Sequence, residues 1–552
     1  MVKDKISRVL KQAAVEAQRR GLLPQVGIPD IGVEHTQSAA HGDYACSFPL
    51  KLARSAMVNP LDVAENMAKL IVSIPEVEKI EVAPPGFINF TLSAQWLAQQ
   101  VAIILRDGED YGNIDSGKCL KVQIEFVSVN PTGPLHVGHG RGAILGDTLA
   151  NVLQAAGYMV EKEYYVNDAG NQMDTFYRSL YARYEQALGL SAEVPSDGYH
   201  GGYVADLARE IINEKGDSFR YLPYEQAMAE IGKTGSYKIL DHIKDDLELL
   251  GVRFDVWYSE KTLYENGQYQ RAMSLLKQGG HVADKAGAVW FVSSEMGDDK
   301  DNVLVRTSGA PTYFASDVAY HYNKFLERQF DKVINIWGAD HQGHVPRMKA
   351  VTKALGIDPT KLQIIITQMV TLKRGDVELK ISKRSGEFVT LRELVEEVGA
   401  DACRFVFLSR SADSQMDFDL ELAKKQSADN PVYYVQYAHA RIASILRMAQ
   451  GKGIDYAQGD VALLVTEPEL ALIRKMVQLP EVVETVAGSL EPHHLPYYAQ
   501  EMATIFHSFY KQCRVISSDK SLMSARLKLV EAARITFART LHLMGMNAPE
   551  KM

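Results

Sequence analysis

Asn130-Pro131-Thr132-Gly133-Pro134-Leu135-His136-Val137-Gly138-His139-Gly140-Arg141-Gly142-Ala143 is the stretch whose reading decides the fold. Before it, Val122-Gln123-Ile124-Glu125-Phe126-Val127-Ser128-Val129 reads as a strand. After it, Ile144, Leu145, Leu149, Val152 and Leu153 follow helical spacing. A strand, a Gly- and Pro-rich turn and a helix, in that order, are how an α/β protein presents an anion site. Free backbone N–H groups and the positive end of the helix dipole then face the ligand. Two histidines at the helix entry add donors, and Gly138 between them lets a flat ring lie against the backbone. A metal pair and plain turn chemistry are the competing readings; the glycines argue against a metal pair set in a regular helix.

Outward from this stretch, residues from Lys118 to about Arg410 alternate strands and helices, which predicts a parallel sheet covered on both faces. The core strands read as Val122 to Val129, Lys162 to Val166, Lys332 to Trp337 and Leu362 to Gln368. Residues 191–299 are too long for a bare loop and read as an insertion with its own packing, Phe254-Asp255-Val256-Trp257-Tyr258 included. Toward the N-terminus, Ile6, Val9, Leu10, Ala13, Ala14 and Ala17 share one helical face, a second helix reads from Pro60 to Ile74, and Ile80 to Leu92 reads as two strands around Pro84-Pro85-Gly86. Beyond Asp413 the strand signals stop. Segments Asn430 to Ala449, Glu467 to Val486, Leu495 to Cys513 and Ser521 to Met544 predict a bundle of about four or five helices.

The totals agree with a soluble chain of about three domains: 552 residues, 46% hydrophobic and 23% charged. No apolar run reaches membrane-spanning length, and the segment opening with Met1-Val2-Lys3-Asp4 lacks a signal peptide's hydrophobic core, so a cytoplasmic protein is expected. Cys46, Cys119, Cys403 and Cys513 are too scattered for a zinc or redox motif. A net charge of −9 argues against nonspecific DNA binding through global charge, while residues 430–552 carry two more cations than anions.

Three further strings carry chemistry. Lys380-Ile381-Ser382-Lys383-Arg384-Ser385-Gly386 can bring two ammonium groups to a polyphosphate, although taken alone such a string is more often a solvated loop. Gly338-Ala339-Asp340-His341-Gln342-Gly343-His344 closes a buried strand, where backbone and carboxylate would meet a ribose; a metal site at His341 and His344 is the alternative. Glu125, Asn130, Tyr313 and Asp317 form a polar set in which two carboxylates suit a guanidinium, and Asp317 also reads as a cap in the first turn of the next helix.

His136-Val137-Gly138-His139 and, about 240 residues later, Lys380-Ile381-Ser382-Lys383 resemble the paired signature motifs of class I aminoacyl-tRNA synthetases. Glu125 to Pro134, Tyr165-Val166-Asn167-Asp168-Ala169-Gly170-Asn171-Gln172, Thr312-Tyr313-Phe314-Ala315-Ser316-Asp317, Gly338-Ala339-Asp340-His341-Gln342 and Asp429 to Arg441 resemble the bacterial-type arginyl-tRNA synthetases over essentially the whole chain. The resemblance implies a Rossmann-like parallel-sheet catalytic domain at 118–412, with an insertion near 191–299. It also implies a small α/β domain at 1–117 for the tRNA elbow, and an all-α anticodon-binding bundle at 413–552.

It further implies formation of arginyl-adenylate from L-arginine and ATP, then transfer to the 3' end of tRNA(Arg). By this resemblance His136, His139, Lys380 and Lys383 would be catalytic, and Gly138, Gly338, Asp340 and Ser382 would bind ATP. Glu125, Asn130, Tyr313, Asp317 and Gln342 would bind arginine, and Tyr434, Tyr437 and Arg441 tRNA. Aromatics with the spacing of Tyr433, Tyr434 and Tyr437 are also read as core. Mg2+ is expected as the ATP complex with no resident metal, the chain is expected to act as a monomer without membrane or DNA, and activation is expected to require bound tRNA. Val137 and Ile381 replace the commoner isoleucine and methionine, both apolar for apolar. A synthetase for another amino acid would need Glu125 and Asp317 to face something other than a guanidinium. The intact histidines and lysines speak against a non-catalytic tRNA-binding relative.

Overall fold

The computed structural model describes residues 1–28, 31–36, 38–375, 377–379 and 389–552. Helix α1 (Val2–Arg19) buries Ile6, Val9, Leu10, Ala13, Ala14 and Ala17, the stripe that the 3.6-residue period selects. An antiparallel sheet follows, formed by β1 (Glu34–His35), β2 (Tyr44–Cys46), β3 (Val77–Ala83) and β4 (Phe87–Leu92) in the order β1-β2-β4-β3. Helix α2 (Pro60–Ala68) is capped by Asn59, whose Oδ1 accepts the Leu61 N–H at 3.0 Å, and is shorter than its apolar pattern suggests.

The central sheet begins with β5 (Lys121–Glu125), helix α3 (Val137–Ala155), β6 (Met159–Val166), helix α4 (Tyr224–Leu249) and β7 (Val256–Ser259). A small antiparallel sheet of β8 (Val282–Lys285), β9 (Ala288–Phe291) and β10 (Asn302–Val305) intervenes. Helix α5 (Tyr313–Tyr322), β11 (Lys332–Gly338) and β12 (Leu362–Thr367) follow. The strand order is β12-β11-β5-β6-β7, all parallel. Strands β5, β6 and β7 progress to one side, and the chain then returns to lay β11 and β12 on the other. The crevice at the carboxyl ends of β5 and β11 is therefore the topological switch point, where open α/β sheets bind ligands.

Two expectations change here. Strand β5 stops at Glu125 instead of Val129, because Val127 and Ser128 take left-handed φ values of 68° and 42° and lead the chain off the sheet. Val256–Ser259, assigned by sequence to the insertion, is the fifth strand of the central sheet and pairs with β6.

Across the sheet Glu163, Glu125 and Asn335 stand side by side in register on β6, β5 and β11, so all three face the same side. Helix α3 lies on the sheet with Ile144, Leu145, Leu149, Val152 and Leu153 buried. It also buries two charges. The Arg141 guanidinium donates to the carbonyls of Gln368, Ser411 and Ser414 at 2.7–2.9 Å. The Asp147 carboxylate pairs with Arg404 at 2.7 Å and with Lys162 at 3.0 Å.

After β12 come β13 (Val370–Arg374), β14 (Val377–Leu379), helix α6 (Leu391–Val398), helix α7 (Ala400–Leu408) and β15 (Met416–Asp419), with β13 parallel to β15. The C-terminal bundle contains α8 (Pro431–Gly451), α9 (Glu467–Met476), α10 (Leu479–Ser489), α11 (His494–Gln512) and α12 (Lys520–Leu543). The single helix expected from Glu467 to Val486 is two, because Pro480 lacks the N–H to continue it and sits instead in the first turn of α10. Among the described residues no helix is long and apolar enough to cross a membrane.

Candidate active site

His136 caps α3: its Nδ1 accepts the Gly138 N–H at 3.1 Å, while the His136 N–H donates to His139 Nδ1 at 3.2 Å. The two rings stack with centroids 3.5 Å apart. With both Nδ1 atoms accepting, a neutral ring at either position carries its proton on Nε2, an orientation that offers a donor. A Cβ at Gly138 would lie 3.0 Å from the His136 ring, so glycine there preserves the stack. The turn and the first turn of α3 lie at the switch point, as an anion site requires.

Lys380, Ser382 and Lys383 lie outside the described residues, but the chain on both sides of them is tied to α3. Thr390 forms an isolated antiparallel bridge with His136, and the Leu391 N–H donates to the Leu135 carbonyl at 2.9 Å. A Cβ at Gly140 would come 2.6 Å from Leu391 Cδ1, so the Leu391 side chain packs directly on α3 at this glycine. Upstream, Arg141 holds the carbonyl of Gln368, which precedes β13 and β14. The histidine turn and the exit of the lysine string are neighbours in space.

At the carboxyl end of β5 lies a cluster of carboxylates. Glu125, at the end of β5, accepts from Lys324 Nζ at 2.5 Å, and the same ammonium donates to Asn335 Oδ1 at 3.1 Å. Lys324 is fully buried and lies 4.1 Å from the centroid of the Tyr320 ring. Asp317 faces the same region from α5, whose N-cap is Thr312, so the capping reading of Asp317 is excluded. Burial, then Glu125 and Glu260, push the Asp317 carboxyl up to about 7, while Lys324 and Arg347 pull it down. Burial also raises Glu260, whose Oε2 is buried with no hydrogen-bond partner; the hydroxyl of Tyr165 is in the same condition. Buried polar atoms without partners mark places where a ligand supplies the missing donor or acceptor.

His321 ties this pocket together. Burial drives its imidazole down to about 3, so it is neutral. Its Nδ1 donates to the Asp317 carbonyl at 2.8 Å, and its Nε2 accepts from Asn335 Nδ2 at 3.1 Å. Asn130 Oδ1 accepts from Asn167 at 3.3 Å. Tyr313 is exposed, and a Cβ at Gly170 would lie 2.8 Å from its hydroxyl, which places the loop after β6 against it.

Gly338 ends β11, and Asp340 and Gln342 stand exposed at its mouth; Asp340 lies 3.5 Å from His341. Among the described residues, Glu125 and Asn130 stand at the end of β5 and just after it, and Gly338 at the end of β11, with Asp340 and Gln342 exposed beyond it. Sequence reasoning missed Glu260, Tyr165 and Lys324. Glu260 follows β7, and recognising that strand as part of the central sheet would have put its end at the site.

On α8, Tyr437 is exposed while Tyr433 and Tyr434 are half-buried, and the core face is carried by Val432, Val435 and Ala438. Arg441 donates to the hydroxyls of Tyr437 and Tyr510 at 3.0 and 2.9 Å and lies 4.5 Å over the Tyr510 ring, with His507 beside Tyr434. This basic, aromatic surface is separate from the crevice and belongs to the helical bundle.

Comparison with known proteins adds a second line. The family model described as tRNA synthetases class I (R), catalytic domain, matches residues 100–443. Models described as arginyl tRNA synthetase N terminal domain and DALR anticodon binding domain match residues 1–92 and 435–552. The arginine–tRNA ligase of Dehalococcoides mccartyi strain BAV1 is 58% identical over 551 residues, spanning 100% of this chain and 99% of the relative. That of Carboxydothermus hydrogenoformans is 46% identical over 554 residues with the same coverage. The solved arginyl-tRNA synthetase of Thermus thermophilus superposes with a TM-score of 0.80 at 23% identity, covering all of both chains, which shows a shared fold.

Proposed function

This chain belongs to the arginyl-tRNA synthetases of class I, and on that premise we propose that it activates L-arginine with ATP and transfers it to the 3' end of tRNA(Arg). The observation that carries the reading is the cluster of Glu125, Asp317 and Glu260 at the carboxyl end of β5, the strand whose following helix opens with the stacked histidines. A guanidinium has a planar fork of donors and a fixed positive charge, which suit several half-desolvated carboxylates better than any neutral side chain does.

In the first step a carboxylate oxygen of arginine attacks the α-phosphate of ATP, which arrives as its Mg2+ complex. The bond to the leaving oxygen breaks and pyrophosphate departs. The enzyme's work is alignment and charge stabilisation. His136 and His139 donate toward the phosphates, Gly138 lets the base approach, and Gly338 and Asp340 meet the ribose at the end of β11. Lys380 and Lys383, with Ser382, would hold the leaving pyrophosphate; the pinned exit of their segment at Thr390 supports that reading. Asp317 and Glu260 take the guanidinium with Tyr313 and the end of Glu125, and Asn130 and Gln342 take the α-amino end. In the second step a hydroxyl of the terminal ribose attacks the activated carbonyl and AMP leaves.

Residues 118–412 form the catalytic part in this reading, with residues 1–117 for the tRNA elbow and 413–552 for the anticodon, where Tyr434, Tyr437 and Arg441 offer stacking and phosphate contacts. In this reading the chain acts as a monomer. The cytoplasm, where the four unpaired cysteines remain reduced, is the proposed location.

Pyrophosphate exchange into ATP, run with each amino acid and with or without tRNA, tests the reading. Exchange with arginine, dependent on tRNA(Arg), together with charging of that tRNA, is the expected result. Exchange with another amino acid and not with arginine overturns it.

A further inference from the structure

We propose that Lys324 is a positioning residue for arginine selection: as the fixed counter-ion of Glu125, it holds that carboxylate on the sheet and sets the charge of the pocket. The proposal rests on the reading of this crevice as the arginine site.

Lysine is among the residues least often fully buried, and this one has no exposed surface. Its surroundings explain the placement. One ammonium hydrogen bond goes to Glu125 Oε2 at 2.5 Å, a second to Asn335 Oδ1 at 3.1 Å, and the face of Tyr320 lies 4.1 Å away. Glu125 and Asn335 are register partners on β5 and β11, so Lys324 spans the two strands at the switch point. Lys324 itself lies in a π-helical turn, Asn323–Glu327, directly after α5. The wider turn of a π-helix is a recurrent feature of functional sites, and here it follows the helix that carries Asp317.

The charges facing the pocket come from every side. Glu125 projects from β5, Glu260 from the end of β7, Asp317 from α5, Lys324 from the π-turn and Arg347 from the helix Val345–Ala354, with the Tyr165 and Tyr264 hydroxyls between them. Glu163, the next carboxylate along the row, is engaged by Gln123, Tyr320 and Arg328 and is closed off from the site. Three carboxylates in one small volume repel one another, and Lys324 offsets one of them. A buried carboxylate that loses its cation takes up a proton or turns to another partner, and either change spoils the shape offered to a guanidinium. Lys324 also lowers the Asp317 carboxyl, so its removal moves Asp317 upward.

The test compares K324M, E125Q and E125Q/K324M with the wild-type full-length protein, using tRNA-dependent pyrophosphate exchange at several pH values. K324M is expected to raise the arginine KM by roughly tenfold or more at pH 7, to change the ATP KM by less than about twofold, and to move the acid limb of kcat/KM for arginine to higher pH. At a pH well above the Asp317 transition, where that carboxyl is ionised in every variant, the double variant removes both members of the pair together and is expected to match E125Q within about twofold. The proposal is overturned by an unchanged arginine KM in K324M, by equal increases for arginine and ATP, or by a further loss in the double variant beyond E125Q at that high pH. D317A run in parallel separates the two levels. If D317A leaves the arginine KM unmoved, the site itself has been misread; if D317A raises it and K324M does not, only the role of Lys324 fails.

Discussion

Asp147 and Arg404 meet at 2.7 Å in the protein interior, and Arg404 also donates to the carbonyls of Leu250 and Met544. One guanidinium thereby joins α3, the helix that carries the histidines, to the end of α4 and to the last turn of the C-terminal bundle. Replacing Arg404 with methionine leaves Asp147 buried with Lys162 as its one remaining cation. That should cost about 3 kcal/mol, read as a lower urea midpoint in the transition that contains the central sheet. A midpoint unchanged from wild type would show that the pair contributes nothing to stability.

Asp317 should govern arginine and not ATP. Asp317→Ala is expected to raise the arginine KM by roughly a hundredfold or more with the ATP KM nearly unchanged; equal effects would remove it from the specificity pocket. Its carboxyl, at about 7 in the fold, lies above its ordinary value of 3.8. Arginine binding should therefore weaken as pH falls below about 7. Calorimetry in buffers of different ionisation enthalpy should detect a proton leaving as the cation binds, and no buffer dependence would contradict this.

The same shift has an opposite sign for stability. Between about 4 and 7 the folded state binds more protons at Asp317 than the unfolded state does, so its contribution favours folding at low pH and is lost as pH rises through about 7. Asp317→Asn should therefore be more stable than wild type at pH 8 while binding arginine poorly. Thermal unfolding at pH 5 and pH 8 checks the difference, and a variant that gains nothing at pH 8 refutes it.

His139→Ala should lower the pyrophosphate-exchange rate by about a hundredfold and leave the arginine KM within about threefold. The ring at this position also holds the His136 N–H, so asparagine, which keeps an acceptor, should recover part of the loss. Full activity in the alanine variant would remove the histidine from phosphate chemistry.

Arg441→Ala should raise the tRNA KM and reduce the salt dependence of tRNA binding by about one unit of slope. Binding measured across a salt series checks this. The crevice is separate, so adenylate formation at saturating tRNA should remain near wild type.

Much of this was legible in the chain itself. Residues 122–153 announced strand, turn and helix because alternation, glycine and helical spacing change within a few positions, and the α1 stripe is a single clean period. Strand β7 was not legible: four residues, Val256–Ser259, follow a long charged helix and carry no alternation strong enough to mark a sheet edge. Glu260 was lost with it. Lys324 was hidden for another reason, since a lysine in a helical segment has the same local sequence whether it points to water or into the interior. Only the register of β5 against β11 reveals the second. The break near Pro480 was visible as a proline but was outweighed by apolar spacing that continues on either side.

The row of Glu163, Glu125 and Asn335 has a bearing on accuracy in translation. The Glu125 carboxylate proposed to select arginine belongs to a strand and not to a loop, so its presence depends on register. A slip of β5 by one residue would set Ile124 or Phe126 between Glu163 and Asn335 and turn Glu125 to the opposite face. A misassembled molecule would then offer a guanidinium only Asp317 and Glu260, and would hold arginine more weakly. Its failure would be silent: it would leave tRNA uncharged, and no wrong residue would reach a growing protein.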